Sequence, residues 1–256
     1  MLLAVDVGNT HMVIGVFSGT TLRCHWRVKT DKGSTVDELA AIFHGLFAME
    51  GLRFAEIRKV IISSVVPVMQ AAWSSFTTKY LNSTPMVVGD NVVTGMEVLI
   101  DNPKEVGADR IVNAVAAYEE FRCALIVVDF GTAITWDCVS GKGEYLGGVI
   151  APGLSISMEA LAGRTAKLPQ VDISTAPAAA IGTNTVAAIK SGILFGYGGM
   201  VDGLIRRIKE ELIPAAPKCV ATGGMATLIS PYASAIDHVD PMLTLKGLRL
   251  LYERNK

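Results

Sequence analysis

The sequence predicts an α/β protein of two related halves, on three observations. Two segments resemble each other: Leu3-Ala-Val-Asp6-Val-Gly8-Asn9-Thr10 followed by the apolar run 12–17, and Ile126-Val-Val-Asp129-Phe-Gly131-Thr132-Ala133 followed by the run 134–139. Each reads as an apolar strand, an Asp-apolar-Gly-polar turn and a second strand. Asp6 and Asp129 lie 123 residues apart in a chain of 256, the mark of an internal duplication. Strand-like and helix-like runs then alternate through both halves, with no linker, low-complexity tract or charge run to interrupt them. Finally, 50% of residues are apolar and 18% charged, against roughly 25% charged in ordinary soluble domains, so the chain has the means to bury two cores.

Each element follows in order. After the first hairpin, residues 21–28 read as a third strand. Residues 35–49 read as a helix, with Val36, Leu39, Ala40, Phe43 and Phe47 recurring on one face. A strand at 59–63 precedes a segment opened by Pro67, and a short strand is expected at 86–88. A helix from about Ala108 carries Ile111, Val112, Val115 and Tyr118 on its apolar face. Its end, near residues 118–123, sets the expected boundary between domains 1–118 and 119–256. In the second half, residues 145–150 read as a strand, and a helical stretch begins near Pro152, a residue favoured in a first turn. The run 181–212 contains a long apolar helical segment. A strand at 218–221 and a C-terminal helix at about 243–253 complete the count. Gly192, Gly196, Gly199 and Gly203 in the long helix read as close helix packing, with a subunit interface as one place for it, rather than as a dinucleotide fingerprint.

Composition excludes several functions. The formal net charge is −1, so the basic excess that drives nucleic-acid binding is missing, and no nucleic-acid partner is expected. A disordered chain would need low hydrophobicity and high charge. The longest apolar runs, such as 124–128, fall far short of the roughly 18 residues that span a bilayer. The N-terminus has no basic region before its acid at Asp6, so neither a membrane nor a secretory signal is expected, and the location expected is the cytoplasm. Cys24, Cys123, Cys138 and Cys219 lie far apart with no CxxC pair and read as structural thiols. His11, His25, His44 and His238 are equally scattered, with no GxSxG elbow and no GxxxxGK[ST] phosphate loop.

The chemistry therefore falls to glycines and carboxylates. A strand ending in Asp-x-Gly-Asn/Thr suits phosphate: glycine admits close backbone approach, N–H groups and the Asn or Thr side chain donate, and the aspartate holds Mg²⁺ through water. One copy alone reads first as a plain hairpin turn; two copies half a chain apart favour phosphate. Ala221-Thr222-Gly223-Gly224 follows a strand, where adjacent glycines let a flat purine lie against the backbone, although the motif alone reads as a plain β–α turn. In Asn102-Pro-Lys-Glu-Val-Gly107-Ala108-Asp109-Arg110, Asn102 caps a short turn and Asp109 opens a helix. Two readings stand side by side there. Asp109 caps the helix and Arg110 pairs with a surface acid, or Asp109 accepts a hydroxyl proton while Arg110 holds an anionic substrate group.

The set Asp6-Val-Gly-Asn-Thr10, Gly107-Ala-Asp-Arg110, Asp129-Phe-Gly-Thr-Ala133 and Ala221-Thr-Gly-Gly224 closely resembles type III pantothenate kinase. Gly147-Gly-Val-Ile-Ala-Pro-Gly153 and Ile181-Gly-Thr-Asn-Thr185 share the resemblance, which covers residues 1 to about 250. That family belongs to the actin, hexokinase and chaperone ATPase superfamily. The resemblance therefore implies two duplicated ribonuclease-H-like domains, mixed central sheets flanked by helices, around a nucleotide cleft. It implies ATP-dependent phosphorylation of the primary hydroxyl of pantothenate, the first step of coenzyme A biosynthesis. Asp6, Val7, Gly8, Asn9, Thr10, His11, Met12 and Val13 would then form the first phosphate loop, with Asp6 near Mg²⁺. Asp129 would bind a monovalent cation, K⁺ or NH₄⁺. Thr132 would contact ATP, and Thr222, Gly223 and Gly224 would lie near the adenosine. Asp109 would be the general base, within a pantothenate segment of Gly107, Ala108, Asp109 and Arg110. Thr185 matches the substrate-contacting threonine, with Thr183 as the alternative. Family members are homodimers with the substrate site at the interface. Ile100 stands where members often carry a tyrosine.

Two rivals are a kinase for another small alcohol or acid on the same fold, and a nucleotide-binding regulatory protein. The Gly-Ala-Asp-Arg segment argues against a sugar kinase. Intact Asp6, Asp109 and Asp129 argue for catalysis.

Overall fold

In the computed structural model, which describes residues 1–256, strand β1 (Leu2–Val7) runs antiparallel to β2 (His11–Ser18), and β2 antiparallel to β3 (Thr21–Lys29). On its other side β1 pairs in parallel with β4 (Lys59–Ser64), and β4 with the short β5 (Met86–Val87), giving the order β3-β2-β1-β4-β5. A second sheet repeats the plan. Strand β6 (Leu125–Phe130) is antiparallel to β7 (Ala133–Val139), and β7 to β8 (Tyr145–Pro152). Strand β9 (Lys218–Thr222) lies parallel to β6, and β10 (His238–Val239) parallel to β9, in the order β10-β9-β6-β7-β8. Three antiparallel strands followed by two parallel ones is the expected ribonuclease-H-like plan, present twice.

The duplication extends to irregularities. The β2–β3 register shifts between Val16 and Phe17, and the β7–β8 register between Cys138 and Val139. These are equivalent positions once the second hairpin turn is counted one residue shorter: Val7 pairs with Met12, but Phe130 with Ile134.

The chain divides into two compact units. One comprises Met1–Met96, Asp101–Ala116 and Leu243–Lys256; the other comprises Glu97–Ile100 and Ala117–Met242. Apart from the cut itself, which falls after Ala116, this differs from a single division after residue 118 in two places. Helix α7 (Leu243–Arg254) returns to the first unit, where it packs on β1, β2 and β4. Gly15 makes room for it, since a Cβ there would lie 2.8 Å from Leu245 Cδ1. Residues Glu97–Ile100 join the second unit, where the Tyr145 N–H donates to Glu97 O (2.8 Å) and the Leu99 N–H to Tyr145 O (2.8 Å). An amphipathic helix announces that it will be covered, but its sequence does not say by which sheet.

In the first unit, helices α1 (Val36–Met49) and α2 (Pro67–Leu81) cover one sheet face. Thr35 caps α1 through a reciprocal pair. The Glu38 N–H donates to Thr35 Oγ1 at 3.2 Å, and the Thr35 N–H to Glu38 Oε2 at 2.7 Å. Pro67 occupies the first turn of α2, and Asn82 ends it in the left-handed region at φ 48°. Trp73 is the keystone of this layer. It is fully buried, lies 4.8 Å from the Phe43 ring and 5.3 Å from the Phe76 ring between centroids, and directs its indole N–H at Met12 Sδ, 3.2 Å away on β2. Trp73→Ala is expected to destabilise the fold by about 3–5 kcal/mol, a large part of the ~5–15 kcal/mol typical of a domain. Urea denaturation followed by far-UV circular dichroism checks this; an unchanged midpoint would remove Trp73 from the core's energetics.

In the second unit, Ile126, Val128, Ile134 and Trp136 of the sheet pack against Leu194, Val201 and Ile205 of α5 (Thr185–Glu211). Cys138 and Cys219 lie in the same layer, all four cysteines are free thiols, and burial pushes the Cys219 thiol up to about 12. Such a thiol is inert. The glycines of α5 divide by their surroundings. A Cβ at Gly192, Gly196, Gly199 or Gly203 would meet nothing within 4 Å, so they are not packed within this chain. The close approach belongs to Gly198, where a Cβ would collide with the Tyr232 backbone carbonyl.

Candidate active site

The first hairpin turn is held in shape from behind. Gly8 turns its N–H inward to His11 O (3.0 Å), and Asn9 and Thr10 beyond it are exposed. Thr30, 7% exposed just after β3, clamps the turn twice: its N–H donates to Thr10 O (2.9 Å) and its Oγ1 to Gly8 O (2.7 Å). Asp6 is half-buried on β1 opposite Val13 of β2 and the fully buried Ser63 of β4. Val7 and Met12 point into the core and shape the turn only through their backbone. Lys32 Nζ reaches Asn9 Oδ1 at 3.5 Å.

The Gly107–Arg110 segment belongs to the same unit and docks beside the end of β1. The Val65 N–H donates to Val7 O (3.1 Å), and a Cβ on Gly107 would lie 3.5 Å from Val65 Cγ1. Before it, Asn102 Oδ1 accepts the Lys104 N–H at 3.4 Å and opens a short turn over Pro103–Glu105. Helix α3 (Ala108–Phe121) then starts, with the Arg110 and Ile111 N–H groups donating to Gly107 O at 3.1 and 3.3 Å. Asp109 Oδ1 accepts the Arg110 N–H at 2.8 Å. The same oxygen would stand only 2.6 Å from a Cβ at Gly107. The absence of a side chain at 107 is therefore what lets the carboxylate occupy its place. Asp109 and Arg110 are both half-buried.

In the second unit Asp129, one residue before the end of β6, lies between two polar neighbours in register, Thr135 of β7 and Thr222 of β9. Gly223, at φ +90°, closes on it: a Cβ there would collide with Asp129 Oδ1 and approach Phe130 N to 2.7 Å. So the candidate adenosine turn, Thr222 to Gly224, and the candidate cation-binding aspartate form one packed cluster. Thr132 sits on the second turn, where Gly131 turns its N–H inward to Ala133 O (3.0 Å), as Gly8 does in the first. The Gly153 N–H donates to Thr132 O (3.0 Å), and any Cβ at 153 would run into that carbonyl. Helix α4 (Leu154–Gly163) starts there. Thr185 is the first residue of α5, after Asn184, whose side chain accepts the Ala187 N–H at 2.9 Å. Both Thr183 and Thr185 are exposed.

Sequence reasoning missed four residues. Thr30 and Gly153 act on turns far away in the chain, and only the tertiary fold reveals them. Asp137 lies within the largely apolar run 134–139. It is fully buried, and its two oxygens accept Tyr145 Oη–H at 2.6 Å and Thr135 Oγ1–H at 2.9 Å. A polar residue at period two from Thr135 was the available signal. Arg27 reaches His11, with Nη2 3.0 Å from Nδ1. Burial, with Arg27 and Lys29 beside it, holds the His11 pKa below its ordinary value of 6.5.

Comparison with known proteins separates fold from family. Inorganic polyphosphate/ATP-glucomannokinase from Arthrobacter sp. strain KM matches the fold at TM-score 0.52 and 14% identity, over 100% of this chain and 99% of that one. A ROK family transcriptional regulator, a homologue of the E. coli MLC protein, matches at TM-score 0.51 and 11% identity, over 98% of this chain and 77% of that one. One fold therefore serves a kinase and a regulator alike, and these likenesses establish two ribonuclease-H-like domains of the actin/hexokinase type and nothing finer. Sequence relatives are sharper. Type III pantothenate kinase of Anaeromyxobacter sp. (strain K) is 52% identical over 256 residues, and that of Citrifermentans bemidjiense 51%, each across 100% of both chains. The model of the family described as type III pantothenate kinase matches residues 2–207, a span that takes in both hairpin turns, the Gly107–Arg110 segment and the start of α5. With a full-length match at this identity and these motifs in place, the chain belongs to the type III pantothenate kinase family.

Proposed function

We propose that this pantothenate kinase performs in-line phosphoryl transfer with Asp109 as general base. The primary hydroxyl of pantothenate attacks the γ-phosphorus of ATP, Asp109 takes the hydroxyl proton, and the bond from the γ-phosphorus to the β–γ bridging oxygen breaks to release ADP. The observation that carries this reading is the docking of Gly107–Arg110 on the end of β1, through Val65, with the Asp109 carboxylate accepting the Arg110 N–H in the first turn of its own helix. Because the transition state of phosphoryl transfer is loose, positioning and charge neutralisation do most of the work, and the proton leaves late.

In this reading the turn from Asp6 to Val13 and Thr132 bind the phosphates of ATP. Thr222, Gly223 and Gly224 lie along the adenosine. Gly107, Ala108, Arg110 and Thr185 hold pantothenate, with Arg110 matched to its carboxylate. Asp6 holds Mg²⁺ through water. Asp129 fits a weakly held monovalent cation, because its carboxylate lies in a cradle that a side chain at 223 would fill. When bound, the two ions offset the charge of the phosphates. We also place the enzyme in the cytoplasm, where four free thiols persist, and assemble it as a homodimer through α5. The open stripe of Gly192, Gly196, Gly199 and Gly203, with Phe195 41% exposed beside it, admits a second backbone closely. The substrate site is then completed at that interface.

The test is a pantothenate phosphorylation assay on the purified protein with Mg-ATP, with and without K⁺ or NH₄⁺, alongside its mass by sedimentation equilibrium. Product formation that requires a monovalent cation, from a dimeric species, is expected. ATP binding without turnover on pantothenate would favour the regulatory rival, and cation-independent turnover would remove the role given to Asp129.

A further inference from the structure

We propose that Arg27, backed by Lys29, belongs to the ATP-binding surface and takes charge from the polyphosphate chain; this rests on the kinase reading above. Strand β3 is an edge strand that turns Cys24, Trp26 and Val28 to the core and leaves Arg23, His25, Arg27 and Lys29 exposed. Cationic side chains on an edge are a usual guard against unwanted strand pairing. That guard accounts for Arg23 and His25, which lie toward the start of the strand. It does not account for what surrounds Arg27.

Arg27 stands opposite Val13, and Val13 opposite Asp6, so the three share one face of the sheet. Two strand spacings of about 4.8 Å put Arg27 and Asp6 roughly 10 Å apart along the backbone, within the span of a triphosphate and an extended guanidinium. Lys29 stands opposite His11, at the turn end of the hairpin. Thr30, the next residue, is bonded to both Thr10 and Gly8, so the cationic end of β3 is tied to the phosphate turn and keeps its place relative to it.

Arg27 is anchored without being neutralised. A guanidinium has donors only, so at 3.0 Å its Nη2 requires His11 Nδ1 to accept, with the imidazole proton on Nε2. The lowered pKa of His11 agrees with this neutral form. A carboxylate partner would cancel the charge; a neutral imidazole fixes one end of the fork and leaves its charge and remaining donors available. Neither Arg27 nor Lys29 forms an ion pair with a carboxylate, and Asp31, in the turn that follows, is engaged with the Gly33 N–H at 2.9 Å. ATP carries roughly four negative charges, and Asp6 adds another, so a phosphate turn that begins with an acid needs cations from elsewhere. Fixed, unneutralised positive charge on the same face supplies them.

The experiment compares Arg27→Gln, Arg27→Lys and Arg23→Gln with the unaltered protein. Equilibrium binding of Mg-ATP and of adenosine is measured together with KM for ATP and for pantothenate. Loss of one charge-assisted contact is expected to weaken Mg-ATP binding and raise KM for ATP about 10- to 100-fold in Arg27→Gln. Adenosine binding and KM for pantothenate should stay within about twofold, Arg27→Lys should recover part of the loss, and Arg23→Gln should match the unaltered protein. Unchanged Mg-ATP binding in Arg27→Gln overturns the proposal, as does equal weakening for ATP and adenosine, which would mark a structural role. If the unaltered protein binds Mg-ATP but leaves pantothenate unphosphorylated, the kinase reading fails, while the binding comparison still decides the role of Arg27.

Discussion

Replacing Asp109 by asparagine is expected to lower kcat about 10²- to 10⁴-fold, the usual contribution of a positioned general base, while Mg-ATP binds as before. Asparagine keeps the shape and an amide oxygen that still accepts the Arg110 N–H, now made at 2.8 Å to Asp109 Oδ1. The start of α3 therefore survives, and what disappears is the ability to take a proton. The prediction separates the two readings that the sequence leaves side by side. If Asp109 only opens the helix, asparagine, a good residue at helix starts, replaces it at little cost and activity persists. If Asp109 is the base, turnover collapses in a protein whose thermal midpoint and ATP affinity are intact. The measurements are steady-state ADP release with saturating pantothenate, ATP titration, and a melting curve on the same preparation. Turnover within tenfold of the unaltered protein would falsify the assignment.

The features legible in the sequence share one property: the residues that specify them are neighbours in the chain. A strand that ends in Asp-x-Gly states its own turn, and two such strands state a duplication, which the equivalent strand orders and register shifts then repeat. The recurrence of Leu39, Phe43 and Phe47 states a helix, and Pro67 states the start of another. Features that stayed hidden depend on partners far along the chain. Thr30 serves Gly8 across 22 positions, and Tyr145 serves a carboxylate at 137 that the surrounding valine and isoleucine disguised. Helix α7 is the largest case, since nothing in its amphipathic pattern selects β1 over β6. The glycines split the same way. Gly8 and Gly131 were legible as turn residues, whereas the demands on Gly107, Gly153 and Gly223 come from carboxylate and carbonyl groups brought to them by the fold.

Gly223→Ala should therefore harm both stability and catalysis, and a second glycine makes the effect interpretable. Gly223 has φ +90°, outside the ordinary range for a residue with a Cβ, and the added methyl would collide with Asp129 Oδ1 while standing 2.7 Å from Phe130 N and 2.8 Å from Phe130 C. Two of those atoms are backbone of β6 and cannot rotate away. The turn after β9 must move, or the end of β6 must, and either displaces the Asp129 carboxylate. Gly19, in the turn between β2 and β3, has φ +59° and open space around its Cβ position. Alanine there meets the backbone penalty alone, about 1–2 kcal/mol, and is expected to leave KM for ATP unchanged. Gly223→Ala adds the collision, so it should lower the melting midpoint further than Gly19→Ala. It should also raise both KM for ATP and the concentration of K⁺ or NH₄⁺ needed for half-activation, because the turn proposed to hold adenosine and the aspartate proposed to hold the cation are one packed cluster. Equal midpoints for the two variants would show that the collision is relieved without cost. A normal cation requirement in a destabilised Gly223→Ala would show instead that Asp129 acts independently of the turn packed against it.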